Sequence, residues 1–123
     1  MDINQPDVHA ELSAAFALYE DALVNNRVDV LDELFWDSPH TVRYGVGENL
    51  VGIAAIREFR NARPATGLAR TLMNTVITTY GNHTGTAMTE FHRKGSTKTG
   101  RQSQTWCRID GRWVVVAAHV SLL

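Results

Sequence analysis

Residues 101–122 read RQSQTWCRIDGRWVVVAAHVSL. Two runs rich in β-branched and aromatic residues, 101–109 and 112–122, flank Asp110-Gly111. That dipeptide between apolar runs is the strongest hairpin signal in the chain. Upstream, residues 70–80 (RTLMNTVITTY) carry Thr and β-branched side chains at strand density, and Gly81-Asn82-His83 turns the chain. Residues 84–94 read as the next strand, and 95–100 (GSTKTG) as a polar loop. The second half is an antiparallel meander.

Ahead of Pro64 the hydrophobic period is near 3.6 instead of 2. Residues 6–25 predict an amphipathic helix with Leu12, Phe16, Tyr19 and Leu23 on one face. Pro6, Asp7 and Glu11 suit its N-terminal end, and Asn25-Asn26 its stop. A second short helix is expected over 28–35, broken at Trp36-Asp37-Ser38-Pro39. Thr41 to Tyr44 is a short strand, the glycine-spaced 45–52 a loop, and 53–63 a third helix. Helices first and strands after is an α+β order, a single domain over 1–123 with helices on one face of a strongly curved sheet. Both alternating sets of the last strand, Val114/Val116/Ala118/Val120 and Val115/Ala117/His119, are largely apolar. One face must meet the helices, so the other is expected to meet a second subunit in a homodimer.

Composition narrows the function classes. With 123 residues there is room for one core, and 44% hydrophobic against 20% charged residues is globular usage. A net charge of −1 with no basic block argues against nucleic acid as the main partner. No apolar run is long enough to span a membrane, and the acidic start MDINQPDVHAEL is unlike a secretion signal, so a cytoplasmic location is expected. The single Cys107 excludes an internal disulfide and a multi-Cys zinc site. The five histidines, at 9, 40, 83, 92 and 119, form no HExxH pairing, and no phosphate loop, dinucleotide fingerprint or GxSxG elbow occurs. No metal and no cofactor are expected.

Several residues stand out as candidates. Tyr19, on the buried stripe of the first helix, is either a core tyrosine or a phenol at the end of an internal cavity, able to donate a proton. Arg43 alternates with Val42 and Tyr44 in a short apolar strand. It either reaches solvent or Glu48, or serves as a clamp for an anionic oxygen pair. Gln102 and Gln104 share a strand face with Trp106, which fits a polar pocket wall or a hydrogen-bonded dimer face. His119 is either a satisfied structural residue or a base. Arg57, Arg60 and Arg63 on the third helix read as a solvated basic face; if one of them turns inward, Arg60 beside Phe59 is the candidate, as a second anion contact. Trp36 is either core or the cap of a cavity mouth.

The order of elements, closing on a Trp…His-x-Ser strand, resembles the nuclear transport factor 2-like, or SnoaL-like, cone fold. There a curved sheet wraps the first helix and leaves an internal pocket, giving a cone-shaped barrel of mixed or antiparallel strands. The closing W…DG-W…H-x-S layout is also similar to the association domain of calmodulin-dependent kinase II. Over residues 8–123, the segments YEDALVNNRVDVLDELFWDSPHTVRYGVGENLVGIAAIREFRNAR, GLARTLMNTVITTYG, GRQSQTW and AAHVSLL together resemble the AtzH-like family, also called the oxalurate-catabolism protein HpxZ family.

The resemblance implies a small homo-oligomeric protein found beside amidase-signature hydrolases in the catabolism of nitrogen-rich compounds. For AtzH-like members the implied activity is a cofactor-independent decarboxylating amidohydrolase step, from 1,3-dicarboxyurea to allophanate, in cyanuric acid catabolism. The family's catalytic tyrosine and arginine fall on Tyr19 and Arg43. The implied ligand is a small anionic ureide, with Trp36, Arg60, Gln104 and His119 as substrate-binding candidates around the two. The alternative is a non-catalytic ligand-binding or assembly partner of an amidase. A cone-fold isomerase or dehydratase needs an Asp or His base, and His119 is the one available.

Overall fold

A computed structural model describes residues 1–123. Helix α1 (Pro6–Val24) is followed by α2 (Val28–Leu34), the short strands β1 (Val42–Tyr44) and β2 (Asn49–Val51), and α3 (Ile53–Ala62). Four long strands complete the chain: β3 (Arg70–Tyr80), β4 (Thr84–Arg93), β5 (Gly100–Ile109) and β6 (Arg112–Leu122). They form one mixed sheet in the order β2-β1-β6-β5-β4-β3. Only the β1–β6 pair is parallel.

The expected α+β cone is present, with one refinement: the sheet is not closed, and β2 and β3 are its edges. The loop expected over 45–52 contains β2, which hairpins onto β1 with Arg43 opposite Leu50. Three residues flanked by glycines are too short to show a period of 2, so β2 left no sequence signal. At the β5–β6 hairpin, Asp110 and Gly111 both take positive φ (51° and 76°), as a two-residue type I′ connection requires.

Two irregularities bend the sheet around α1. One lies in β3 between Met73 and Val76, where Asn74 takes φ 54° and donates to Glu90 at 2.7 Å. The other sets Thr105 opposite Ala117 but Trp106 opposite Val115, so Val116 is an extra residue on β6. It reverses the phase of the strand: Val115, Ala118 and Val120 lie on the helix side with Gln102, Gln104 and Trp106. The strict alternation expected for residues 114–120 breaks there.

The core lies between α1 and this concave face. Val8, Leu12, Phe16, Tyr19 and Leu23 of α1 pack with Leu31, Phe35, Ile56, Trp106 and Val115. A fully buried side chain of this size contributes about 1.5–3 kcal/mol, so the α1 stripe fixes the helix against the sheet. On the opposite face Val76, Met88, Ser103, His119 and Tyr44 form one cross-strand row, with Val76, Met88 and Tyr44 exposed. No helix is long and apolar enough to cross a membrane.

Candidate functional site

Every layer of the fold sends a side chain into the open end of the cone. An inner chamber of 40 Å³ is lined by Tyr19 from α1, Arg43 from β1, Arg63 at the end of α3, Arg70 from β3 and Gln102 from β5. It adjoins an outer vestibule of 360 Å³. Arg43, Arg63, Leu68, Arg93 and Val120 line both. Arg43 therefore stands where the two spaces meet, and Tyr19 at the inner side.

The local reasons are simple. Tyr19 follows Phe16 by one helical step, and its ring is held on three sides by Phe16, Phe35 and Trp106, with centroids 6.4, 6.1 and 6.3 Å away. Arg43 pairs in register with Ala118, whose small side chain leaves the guanidinium room on the concave face. Gln102 sits between Thr89 and Val120 on that same face and is 3% exposed.

The arginines differ in how far their charge is compensated. Arg43 Nη1 donates to Glu48 Oε1 at 2.9 Å, and its guanidinium lies 5.6 Å from the Phe59 ring. Arg70 Nε and Nη2 both donate to the Glu20 carboxylate, at 2.8 and 2.6 Å. Nη2 also donates to Gln102 Oε1 at 3.1 Å. Behind the chamber, buried Arg60 donates to Asp32 at 3.0 Å and stacks 4.6 Å from Phe35. Arg93 lies over Phe91 at 5.5 Å with no carboxylate partner. Arg63 is the exception within the wall: its Nε and Nη2 are buried without any hydrogen-bond partner. Of the four chamber arginines, Arg43 and Arg70 have acids and Arg63 and Arg93 have none, so the pocket carries uncompensated positive charge.

Burial holds the Arg60 guanidinium below its ordinary pKa; Tyr19 and Asp32 pull it back up and Arg43 pushes it further down. Burial likewise depresses Arg63, reinforced by the cations Arg43 and Arg60, while Tyr19 opposes the shift. Tyr19 thus lies within electrostatic reach of both guanidiniums.

The AtzH-like family model matches residues 1–123. The chain belongs to the AtzH-like family. It is 61% identical to a protein of unknown function from Pectobacterium atrosepticum assigned to the DUF3225 family, with a TM-score of 0.98 over 99% of this chain and 95% of that one. A cystatin-like fold protein from Burkholderia xenovorans is 45% identical, with a TM-score of 0.96 over 100% of this chain and 97% of that one. A putative ketosteroid isomerase from Parabacteroides distasonis shares the fold at 12% identity, with a TM-score of 0.71 over 88% and 84% of the two chains. No curated protein matches.

In this AtzH-like chain the sequence candidates part company. Tyr19 and Arg43 line one chamber. Arg60, read as part of a solvated face, is instead buried and is taken up by Asp32. Gln104 lies one step deeper than the chamber, in a row with Ala118 and Arg43, and accepts a hydrogen bond from Trp106 Nε1 at 3.0 Å. His119 is on the opposite, exposed face, edge-on to Tyr44 at 6.1 Å, which takes it away from the pocket. Trp36 lines a different surface groove with Asp32, Arg57 and Arg112, and that groove shares no lining residue with the chamber.

Arg63, Arg70 and Arg93 are chamber residues that the sequence reading did not point to; Gln102, read as pocket wall or dimer face, lines the chamber with them. A signal for Arg63 existed: Ile53, Ile56 and Arg60 form the buried stripe of α3 at steps of three and four, and Arg63, the extended cap just past the helix, stands three residues further on. The solvated basic face expected for Arg57, Arg60 and Arg63 holds for half-exposed Arg57, which pairs with exposed Asp37.

Proposed function

We propose that this AtzH-like protein is a cofactor-independent decarboxylating amidohydrolase that acts on a small anionic N-carboxylated urea, converting 1,3-dicarboxyurea to allophanate. The observation that carries the reading is the shared chamber: a phenol and a guanidinium, Tyr19 and Arg43, open onto one cationic pocket.

The chemistry needs an anion clamp and an acid. The substrate enters through the vestibule, and Arg43 holds the N-carboxylate that will leave. The bond between that carboxyl carbon and nitrogen breaks, its electron pair stays on nitrogen, and carbon dioxide departs. Tyr19 delivers its proton to the nitrogen; a phenol is a poor base but a usable acid at neutral pH. Water returns the proton to the phenolate, so the dianion and one proton become the allophanate monoanion and carbon dioxide. An isomerase reading is disfavoured, because His119 faces away and Glu48, the acid in the vestibule wall, is paired to Arg43.

The protein is further proposed to form a homodimer through the row Val76, Met88, Ser103, His119 and Tyr44, and to operate beside an amidase-signature hydrolase in the cytoplasm. The test of function is carbon dioxide release from freshly generated 1,3-dicarboxyurea by the wild type and by Arg43→Ala. Release well above the spontaneous rate, lost in the variant, supports the enzyme. If the wild type gives no acceleration, while Arg43→Ala still co-purifies with and supports an amidase, the reading as a non-catalytic partner stands instead.

A further inference from the structure

We propose that Arg63 and Gln102 form a second, dedicated carboxylate seat in the inner chamber, and that this seat selects dianions over monoanions. The inference rests on the functional reading above for its substrate, but on separate atoms for its geometry.

Two independent observations meet in one small space. Arg63 Nε and Nη2 are buried and unpartnered, with no carboxylate forming an ion pair to them. Gln102, 97% removed from solvent with its residue exposure at 3%, spends its carbonyl oxygen on Arg70 and leaves Nε2 buried and unpartnered. Both residues line the 40 Å³ chamber, which has room for a group about the size of a carboxylate. Three donors without an acceptor, on two residues that line one chamber, are costly in a folded protein, and one pair of anionic oxygens bound there would satisfy them.

The division of labour follows from charge. The carboxylate that leaves becomes neutral carbon dioxide, so a strong ion pair to it stabilises the ground state more than the transition state. Arg43, already balanced by Glu48, suits that group. The carboxylate retained in the product keeps its charge, and uncompensated Arg63 suits it. Arg63 is thus a specificity residue that holds the far end of the substrate while Tyr19 and Arg43 act on the near end.

The test uses glutarate, whose two carboxylates stand at the same chain separation as those of 1,3-dicarboxyurea, against butyrate as the monoanion. Calorimetric affinities are compared for the wild type, Arg63→Met, which keeps the buried stem, and Gln102→Leu, with thermal melts to verify folding. The wild type should prefer glutarate by at least tenfold. Arg63→Met should collapse that preference to within about threefold, and Gln102→Leu should reduce it by at least threefold. On 1,3-dicarboxyurea the loss in Arg63→Met should fall on KM more than on kcat. A glutarate preference that is absent in the wild type, or unchanged in both variants, overturns the seat. Carbon dioxide release with an unchanged preference keeps the enzyme and discards the seat; a collapsed preference without any carbon dioxide release keeps the seat and discards the decarboxylase.

Discussion

Arg43 Nη1 and Glu48 Oε1 are 2.9 Å apart, and the carboxylate that makes this bond occupies the space a side chain at residue 45 would need. Gly45 and Glu48 also close the β1–β2 hairpin, with Gly45 N donating to Glu48 O at 2.9 Å. The hairpin thus exists in the form that aims Arg43 into the chamber.

Gly45→Ala should therefore act on function more than on stability. The added methyl group overlaps the end of a flexible side chain, which can swing away, so unfolding free energy should change by less than about 1 kcal/mol. Glu48 would leave Arg43, and kcat/KM for decarboxylation should fall several-fold. Steady-state kinetics beside denaturant melts check both halves; an unchanged kcat/KM would remove Glu48 as a positioning residue.

Gly100 is the opposite case. It pairs with Phe91 across β4 and β5, and the ring of Phe91 lies over the bare backbone where a Cβ would be. Phe91 is fully buried and carries Arg70 on its ring at 4.5 Å, so it cannot step aside. Gly100→Ala should destabilise the fold by about 1–3 kcal/mol and weaken glutarate binding as Arg70 and Arg93 lose their platform. Chemical denaturation measures the first and calorimetry the second.

Arg63→Met should raise the melting temperature, by roughly 1–3 °C. The folded pKa of Arg63 is depressed, so the folded chain holds that proton less readily than the unfolded chain does. The penalty for keeping the guanidinium charged is present at every pH below its folded value, which includes neutrality, and is relieved only as the pH rises through that value. Removing the cation relieves it at pH 7. A scan of melting temperature in the absence of anions checks the sign, and a clear drop would mean that the guanidinium has a partner in solution.

The order of elements and the long strands were legible because period and turn chemistry agree over 70–122, with Asp110-Gly111 at the point of reversal. The bulge at Val116 was not, since a run of three valines looks the same with or without an extra residue. Tyr19 and Arg43 were visible as polar groups where the pattern wanted apolar ones, and the family resemblance pointed to the same pair. His119 was misleading for a related reason: strand alternation gives two faces without saying which is concave, and the bulge decides it. Arg63, Arg70 and Arg93 come from three elements up to thirty residues apart, and only the tertiary fold brings them together. Trp36 lies just past α2, after the extended residue Phe35, its backbone N–H donating to Val115 O at 3.0 Å, and it lines the surface groove and not the chamber.

The central claim is that the Tyr19 hydroxyl supplies the proton that completes decarboxylation, and Tyr19→Phe isolates that one atom. The decisive measurement is single-turnover carbon dioxide release from freshly generated 1,3-dicarboxyurea by the wild type and Tyr19→Phe, with glutarate affinity measured on the same preparations. The account predicts a rate at least about 100-fold lower in the variant, with glutarate affinity and melting temperature essentially preserved. A variant that releases carbon dioxide at the wild-type rate would contradict it.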